Sequence, residues 1–146
     1  MKQFLLVSAC LLFAAFSSKA QGVQITINNN TTYNLYMTLS ASSTCSGTDR
    51  AAVVIPPGTT IYTDPTAVPI PNTTSTDEFY HVRMYNYDPN STCYTQQSIN
   101  LSGCMAGVPM NDNIVIYDMC TGGTPLPVNV DWDNGNTPTS VILNIN

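Results

Sequence analysis

Apolar and polar residues alternate with a period of two along much of this chain, and this alternation constrains the fold more than any other feature. It predicts β-strands, because successive side chains of a strand point to opposite faces of a sheet. No long segment repeats apolar residues at the i, i+3, i+4, i+7 spacing of an amphipathic helix. We therefore expect nine short strands, at residues 23–27, 35–39, 52–55, 59–62, 79–87, 94–101, 113–117, 128–132 and 140–145.

Turn-forming residues separate these strands. Three asparagines at residues 28–30 follow the first strand, and two prolines and a glycine at residues 56–58 end the third, since proline fixes φ and lacks an N–H. Between the last two strands, Asn134 and Gly135 suit a two-residue hairpin turn, in which both central positions need positive φ. Residues 64–76 hold three prolines and predict a long surface loop. This pattern predicts an all-β fold, a single antiparallel β-sandwich of about seven to nine strands.

The chain begins with the pattern of an export signal. One lysine precedes an uncharged apolar stretch at residues 4–16, which is shorter than the roughly 20 residues that span a bilayer. Ser18 and Ala20 then supply small residues at the two positions that signal peptidase inspects. We predict a cleaved signal peptide at residues 1–20, no stable membrane insertion after cleavage, and a single domain at residues 21–146 that is secreted or held in the periplasm or at the cell surface.

A lipoprotein is the alternative interpretation of the same segment. Residues 7–10 resemble a lipoprotein processing site with Cys10 as the acylated residue. Cys10 lies midway along the apolar stretch, so cleavage there would leave residues 11–16 on the mature protein. The cleaved signal peptide is therefore the favoured interpretation.

Loss of the signal peptide changes the charge balance. Both lysines, Lys2 and Lys19, lie within it, so residues 21–146 carry only Arg50 and Arg83 against nine carboxylates, which gives a net charge of −7. Binding to a phosphate backbone needs several cationic contacts. Nucleic acid and anionic membrane surfaces are therefore poor partners, whereas a cationic partner is compatible with the charge.

Four cysteines remain after signal cleavage: Cys45, Cys93, Cys104 and Cys120. An even number in an exported chain predicts disulfides, and zinc is disfavoured because no two cysteines have the C-x-x-C spacing. If residues 94–101 are extended, about 26 Å separates the ends of that strand. Cys93 then cannot reach Cys104, because a disulfide needs Cα atoms within about 7 Å. With successive strands running up and down, the predicted pairs are Cys45–Cys104 and Cys93–Cys120.

One predicted strand, residues 79–87, combines an apolar face with a face suited to recognition. The apolar face carries Tyr80, Val82 and Met84. The opposite face carries His81, Arg83, Tyr85 and Tyr87. Aromatic rings and guanidinium groups provide large contact areas, so this second row is the candidate binding surface, for a protein, a glycan or another copy of the chain.

The eight tyrosines of the chain also suggest a carbohydrate-binding module, in which rings stack on the faces of sugars. Tyr36, Tyr85 and Tyr87 fall opposite the apolar faces of their strands. A cluster of these three rings on the folded surface would favour this alternative, and scattered or buried rings would count against it.

Catalytic motifs are absent from the sequence. His81 is the one histidine, and a catalytic triad would also need a serine in a sharp turn and a carboxylate that orients the imidazole, yet no G-x-S-x-G string occurs. The favoured interpretation is a non-enzymatic binding or structural module that needs no cofactor. A small hydrolase that uses His81 with a neighbouring carboxylate is the alternative.

Asp131 and Asp133, followed by Asn134 and Gly135, resemble part of a calcium loop. An EF-hand loop that begins at Asp131 would need glycine at its sixth position and glutamate at its twelfth, where this chain has asparagine and isoleucine. The two aspartates could also be imagined as a glycosidase pair, at i and i+2 of one strand. We expect instead that both are exposed residues of a strand and bind no metal.

Three strings of the chain resemble small secreted β proteins of Bacteroidota bacteria. They are the end of the signal peptide at Ala20-Gln21, the Ile-Thr-Ile-Asn-Asn-Asn-Thr string at residues 25–31, and the Ile-Pro-Pro-Gly-Thr-Thr string at residues 55–60. The resemblance implies export and a β-sandwich. It implies no activity and no site residues.

Overall fold

The computed structural model describes residues 22–86, 97–105, 107–116, 125–135 and 139–146. The predicted signal peptide and Cys10 lie outside these ranges. The described residues form one 3-10 turn, Pro65–Ala67, and nine strands: β1 (Gln24–Asn29), β2 (Leu35–Ser42), β3 (Arg50–Ile55), β4 (Gly58–Tyr62), β5 (Glu78–Tyr85), β6 (Ser98–Ser102), β7 (Asn111–Ile116), β8 (Leu126–Asn134) and β9 (Ser140–Ile145). Each of the nine predicted strands overlaps one of these strands, although several of the bounds differ. Within the described ranges, we find no helix with the length and apolar character needed to cross a membrane.

The strands form two sheets. One has five strands in the order β4-β1-β9-β8-β7, and the other has four in the order β3-β2-β5-β6. Six of the seven pairings between described strands are antiparallel, and the seventh, between β1 and β9, is parallel. The prediction of a wholly antiparallel sandwich is wrong at this pair. A parallel pair needs a long crossover, and the whole chain between the first and last strands supplies it.

A hydrophobic core lies between the two sheets in a β-sandwich-like arrangement. Alternate residues of the strands face it, as the period of two predicts. The largest side chains that are fully buried include Trp132, Phe79, Ile25, Ile27, Leu35, Met37, Leu39, Ile55, Met84, Leu101 and Leu143. Burial of each such side chain contributes roughly 1.5–3 kcal/mol, so this shared core is the main term that holds the sheets together.

The chain crosses from the four-stranded to the five-stranded sheet between β3 and β4. Pro56 and Pro57 form the link, and neither has an N–H to donate to a neighbouring strand. Gly58 begins β4 with a φ of 102°, a backbone conformation that favours glycine. The turn that these three residues predict is confirmed, and it serves as a corner between the sheets.

A buried amide joins the two sheets where β1 ends. Asn29 is 1% exposed. Its Nδ2 donates to the carbonyl oxygens of Tyr33, at 2.8 Å, and Ile55, at 3.2 Å, while its Oδ1 accepts from the backbone N–H and the hydroxyl of Thr31, at 3.1 and 2.7 Å. These bonds connect β1, the β1–β2 loop and the end of β3. Asn29 therefore links the two sheets, in addition to belonging to the turn-forming run of asparagines at residues 28–30.

β5 contains a bulge at Tyr80. Ser40 of β2 pairs with His81, and the next residue of β2 pairs with Phe79, so Tyr80 is an extra residue in β5. In a regular strand, residues 79 and 82 would face opposite sides of the sheet. The extra residue shifts the alternation, so Phe79 and Val82 both belong to the core between the sheets. Tyr80 is buried as predicted, but it lies against the β2–β3 loop, where its hydroxyl donates to the carbonyl of Gly47. Tyr80 is not a member of the core cluster to which Phe79 and Val82 belong.

The disulfide Cys45–Cys104 closes one end of the four-stranded sheet, and its Cα atoms lie 5.9 Å apart. β2 and β6 both pair antiparallel with β5, which lies between them, so they run in the same direction and end at the same edge. Cys45 follows β2 and Cys104 follows β6. The first predicted pair is confirmed. Cys93 and Cys120 lie outside the described residues, and their pairing stays a prediction.

Ser102, at the end of β6, links the disulfide to the bulge. Its buried hydroxyl donates to the carbonyl of Tyr80 at 2.6 Å and accepts from the backbone N–H groups of Cys104, at 3.2 Å, and Met105, at 3.0 Å. We call the group formed by Cys45, Gly47, Tyr80, Ser102 and Cys104 the disulfide corner.

The hairpin between β8 and β9 differs from the prediction. Asn134 pairs with Val141, and the N–H of Gly135 donates to the carbonyl of Ser140 at 2.8 Å. The predicted two-residue Asn-Gly turn is therefore wrong. Asn134 belongs to the pairing of β8 with β9, and the N–H of Gly135 bonds to the carbonyl of Ser140, so both residues take part in the contact between the strands. Close approach explains the glycine, since a Cβ at position 135 would lie 2.0 Å from Ser140 Oγ and 2.8 Å from its carbonyl oxygen.

Replacement of both Cys45 and Cys104 by serine should lower the free energy of unfolding by about 4 kcal/mol. The bond joins residues 59 apart in sequence, and in the loop-entropy model a cross-link of that length restricts the unfolded chain by this amount. Urea denaturation followed by tryptophan fluorescence would measure the loss. Peptide mapping of the native protein without reductant should recover Cys45 linked to Cys104, and recovery of Cys45 linked to any other cysteine would contradict the corner.

Candidate binding face on the four-stranded sheet

The outer face of the four-stranded sheet carries three rows of side chains that the strand registers align. From β3 through β2 and β5 to β6, the rows are Val54, Tyr36, Tyr85 and Ser98; Ala52, Thr38, Arg83 and Asn100; and Arg50, Ser40, His81 and Ser102. Ser40 and Ser102 in the third row are buried. The accessible part of the face is therefore formed by the first two rows together with Arg50 and His81.

Three of the four predicted site residues lie on this face. His81, Arg83 and Tyr85 alternate along β5, which is an interior strand of the sheet, and Tyr87 lies outside the described residues. Ser98 and Asn100 of β6 lie beside Tyr85 and Arg83 and are additional residues of this face. Those contacts depend on the register between β5 and β6, which no local pattern in the sequence reports.

Arg83 is held in one orientation by two neighbours. Its Nε and Nη2 both donate to the hydroxyl of Ser98, at 3.0 and 2.9 Å, and its Cζ lies 5.2 Å from the centre of the Tyr85 ring. The second contact is within the range of a cation–π interaction. Among the described residues, the guanidinium makes no further hydrogen bond. Its remaining N–H groups are suited to a planar anionic acceptor.

Tyr36 and Tyr85 are direct partners across β2 and β5, and both side chains are half-buried. Directly opposite residues of an antiparallel pair have Cβ atoms about 4.5–5.5 Å apart, so the two side chains leave the sheet at neighbouring positions. Val54, which is 50% exposed, continues the row on β3. The two described tyrosines of the predicted ring cluster are thus neither scattered nor fully buried.

His81 lies among polar and cationic groups. Burial lowers its pKa from the usual 6.5, and the positive charges of Arg50 and Arg83 lower it further, while a hydrogen bond with Asn100 acts in the opposite direction. The imidazole is therefore neutral at pH 7. The described groups that act on His81 include no carboxylate of the kind that the hydrolase alternative requires.

Positive charge in residues 21–146 is concentrated on this face. Arg50 and Arg83 are the only lysine or arginine residues of the range 21–146. Arg50 is exposed at the start of β3, and Arg83 lies near the middle of β5. An acidic protein thus presents both of its arginines on one side of one sheet.

Asp131 and Asp133 lie on β8 in the other sheet, among asparagine side chains. Asn129 donates to Asp131 at 2.7 Å, and Asn144 donates to Asp133 at 3.3 Å. Asn144 also accepts from Asn28 at 2.9 Å, which places the aspartates in a network of amides. Within the described ranges, no three His, Cys, Asp or Glu residues are grouped so that they could hold a metal ion.

Comparisons of the chain with protein-family models, with curated proteins and with solved structures find no match. The chemistry of the face is therefore the basis for any functional conclusion.

The low pKa of His81 should make the protein less stable in mild acid. Because the pKa lies below 6.5 only in the folded chain, the unfolded chain takes up the proton first as the pH falls. The free energy of unfolding should therefore decrease as the pH falls from about 6.5 towards the folded-state pKa. Urea denaturation at several pH values would measure this decrease.

Two variants test the assignment to His81. In His81→Gln, the unfolding free energy should change less between about pH 6.5 and pH 5, because the titrating group is gone. Val54→Thr, on the same face, retains the imidazole and should keep the pH dependence of the wild-type chain. An unchanged slope in His81→Gln would show that other groups cause it.

Proposed function

We propose that this protein is an exported, non-enzymatic binding module that recognises a saccharide through the outer face of its four-stranded sheet. The observation that carries the proposal is the register between β2 and β5, which sets Tyr36 directly opposite Tyr85, together with the contact of the Tyr85 ring with the Arg83 guanidinium. Neighbouring rings supply surfaces for stacking on a sugar, and the adjacent polar groups can bond its hydroxyls.

The small polar side chains around the rings favour a saccharide over a protein partner. Thr38, Ser98 and Asn100 surround Arg83, and Val54 is the one large exposed apolar side chain on this face among the described residues. The fully buried centre of a protein interface is usually more apolar than this. A face with two rings and several hydroxyl or amide groups is better matched to a carbohydrate.

The surroundings of His81 support a non-enzymatic role. The groups that shift its pKa are an amide, through a hydrogen bond, and two guanidinium charges, and no orienting carboxylate is among them. Its nearest serines in the strand register, Ser40 and Ser102, are buried, and Ser102 already uses its hydroxyl in the disulfide corner. A serine nucleophile activated by His81 has little support in this arrangement.

Export is part of the proposal. The signal pattern of residues 1–20 supports it, as does the disulfide, since disulfides persist mainly in oxidising compartments. Membership of a group of small secreted β proteins of Bacteroidota belongs to the same proposal.

Affinity electrophoresis tests the proposed function. The mature chain would be run through native gels that contain neutral polysaccharides (starch, xylan, mannan) or acidic ones (polygalacturonate, alginate). At least one should retard the protein, and Tyr36→Ala and Tyr85→Ala should each weaken the binding about tenfold, equivalent to about 1.4 kcal/mol.

Ile61→Ala is the matched control for the tyrosine variants. Ile61 is 54% exposed on β4 of the other sheet, so its removal should leave the retardation unchanged. Circular dichroism would confirm that each variant is folded. A protein that migrates freely in every gel, or tyrosine variants that bind like wild type, would refute the proposed function.

A further inference from the structure

Arg83 is prepared for an anionic group before any ligand arrives. The Ser98 hydroxyl accepts hydrogen bonds from two N–H groups of Arg83, and the Tyr85 ring lies under the guanidinium. The Arg83 side chain therefore has little conformational freedom left to lose when a ligand binds. Its partners in the neighbouring strands are Thr38 and Asn100, which are neutral. The charge of Arg83 is thus flanked by neutral side chains on both neighbouring strands.

Thr38, the neighbour of Arg83 on β2, has an unusual hydroxyl. Its Oγ1 is covered by surrounding atoms, and it is the one buried side-chain nitrogen or oxygen atom in the described part of the chain that has no hydrogen-bond partner. Nearly all such atoms in folded proteins are paired, and exceptions are often found at functional sites. This exception lies in the same row as the oriented guanidinium.

From these observations we infer that the saccharide recognised by this face is acidic, and that Arg83 binds its carboxylate while the adjacent rings of Tyr36 and Tyr85 contact the sugar. The inference rests on the proposed function and adds the chemical class of the ligand. A guanidinium can bond both oxygens of a carboxylate at once, which a lysine cannot do.

Arg50 provides a second cationic position on the same face. It is separated from Arg83 by one strand and two positions along the sheet, which corresponds to roughly 12 Å between Cα atoms at ordinary strand spacings. A ligand with one carboxylate engages Arg83 alone. An oligomer of uronic acid residues reaches both arginines.

The overall charge of the protein argues against ligands of very high charge density. With a net charge of −7 in the range 21–146, the protein repels polyanions over long distances, and two arginines neutralise few phosphates or sulfates. A saccharide whose carboxylates are spaced along a chain of neutral rings avoids most of this repulsion. The two cations and two rings of the face are matched to such a ligand.

Calorimetric titration of the mature chain with two matched probes tests the inference. The first is an oligogalacturonate, and the second is its methyl ester, which keeps the sugar rings and removes the negative charges. We expect the oligogalacturonate to bind at least tenfold more tightly than the ester. Added sodium chloride should weaken the binding of the acidic probe and leave that of the ester nearly unchanged.

Two variants identify the residue that reads the carboxylate. Arg83→Lys should weaken binding of the oligogalacturonate at least tenfold and change binding of the ester less than twofold. Ser98→Ala, which removes the group that orients the guanidinium, should cause a smaller loss of about threefold. Circular dichroism would show that both variants are folded.

The outcomes separate the inference from the proposed function. Equal binding of the acid and the ester, or neutral polysaccharides bound more tightly than acidic ones, would overturn the inference and leave the saccharide-binding proposal standing. Undiminished binding of the oligogalacturonate by Arg83→Lys would also overturn the inference. So would inorganic phosphate that occupied the face as well as the oligogalacturonate does at the same concentration. A protein that binds no saccharide would overturn both.

Discussion

The register of β5 between β2 and β6 is the constraint on which the rest of this structure depends. A slip of one residue would move His81 and Arg83 into the core and Val82 and Met84 to the surface, so the pairing is strongly specified by burial. The bulge at Tyr80 is part of the same constraint, because it lets residues on both of its sides keep their core contacts. The shape of the core thus determines which side chains are available for recognition.

The two ends of the fold are fixed by different chemistry. At one end, the buried amide of Asn29 makes three hydrogen bonds within the β1–β2 loop and one to the carbonyl of Ile55 at the end of β3, and so connects the two sheets. At the other, the disulfide corner ties β2 to β6 through Cys45–Cys104, while Ser102 holds the backbone of the bulge. Since β2 and β6 flank β5, the corner also supports the register that orders the rows of the outer face.

Local patterns in the sequence predicted the strands, because the alternation of apolar and polar residues is a property of neighbouring residues. They also predicted one disulfide, because connecting short strands in succession sets the direction of each strand and so the end at which each cysteine lies. The pairing of strands that are far apart in the chain could not be predicted from these local patterns. The parallel contact of β1 with β9 and the bulge at Tyr80 both depend on residues far apart in the chain. For the same reason, the candidate face was predicted only as one strand, and its neighbours on β6 required the structure.

Backbone amide shifts measured by NMR during titration of residues 21–146 with oligogalacturonate would locate the contact surface without any substitution. Binding on the outer face of the four-stranded sheet predicts shifts that saturate together and cluster at Tyr36, Arg83, Tyr85 and the residues of β6 beside them. Shifts confined to the outer face of the five-stranded sheet, around Asn144, or no saturable shifts at all, would contradict it.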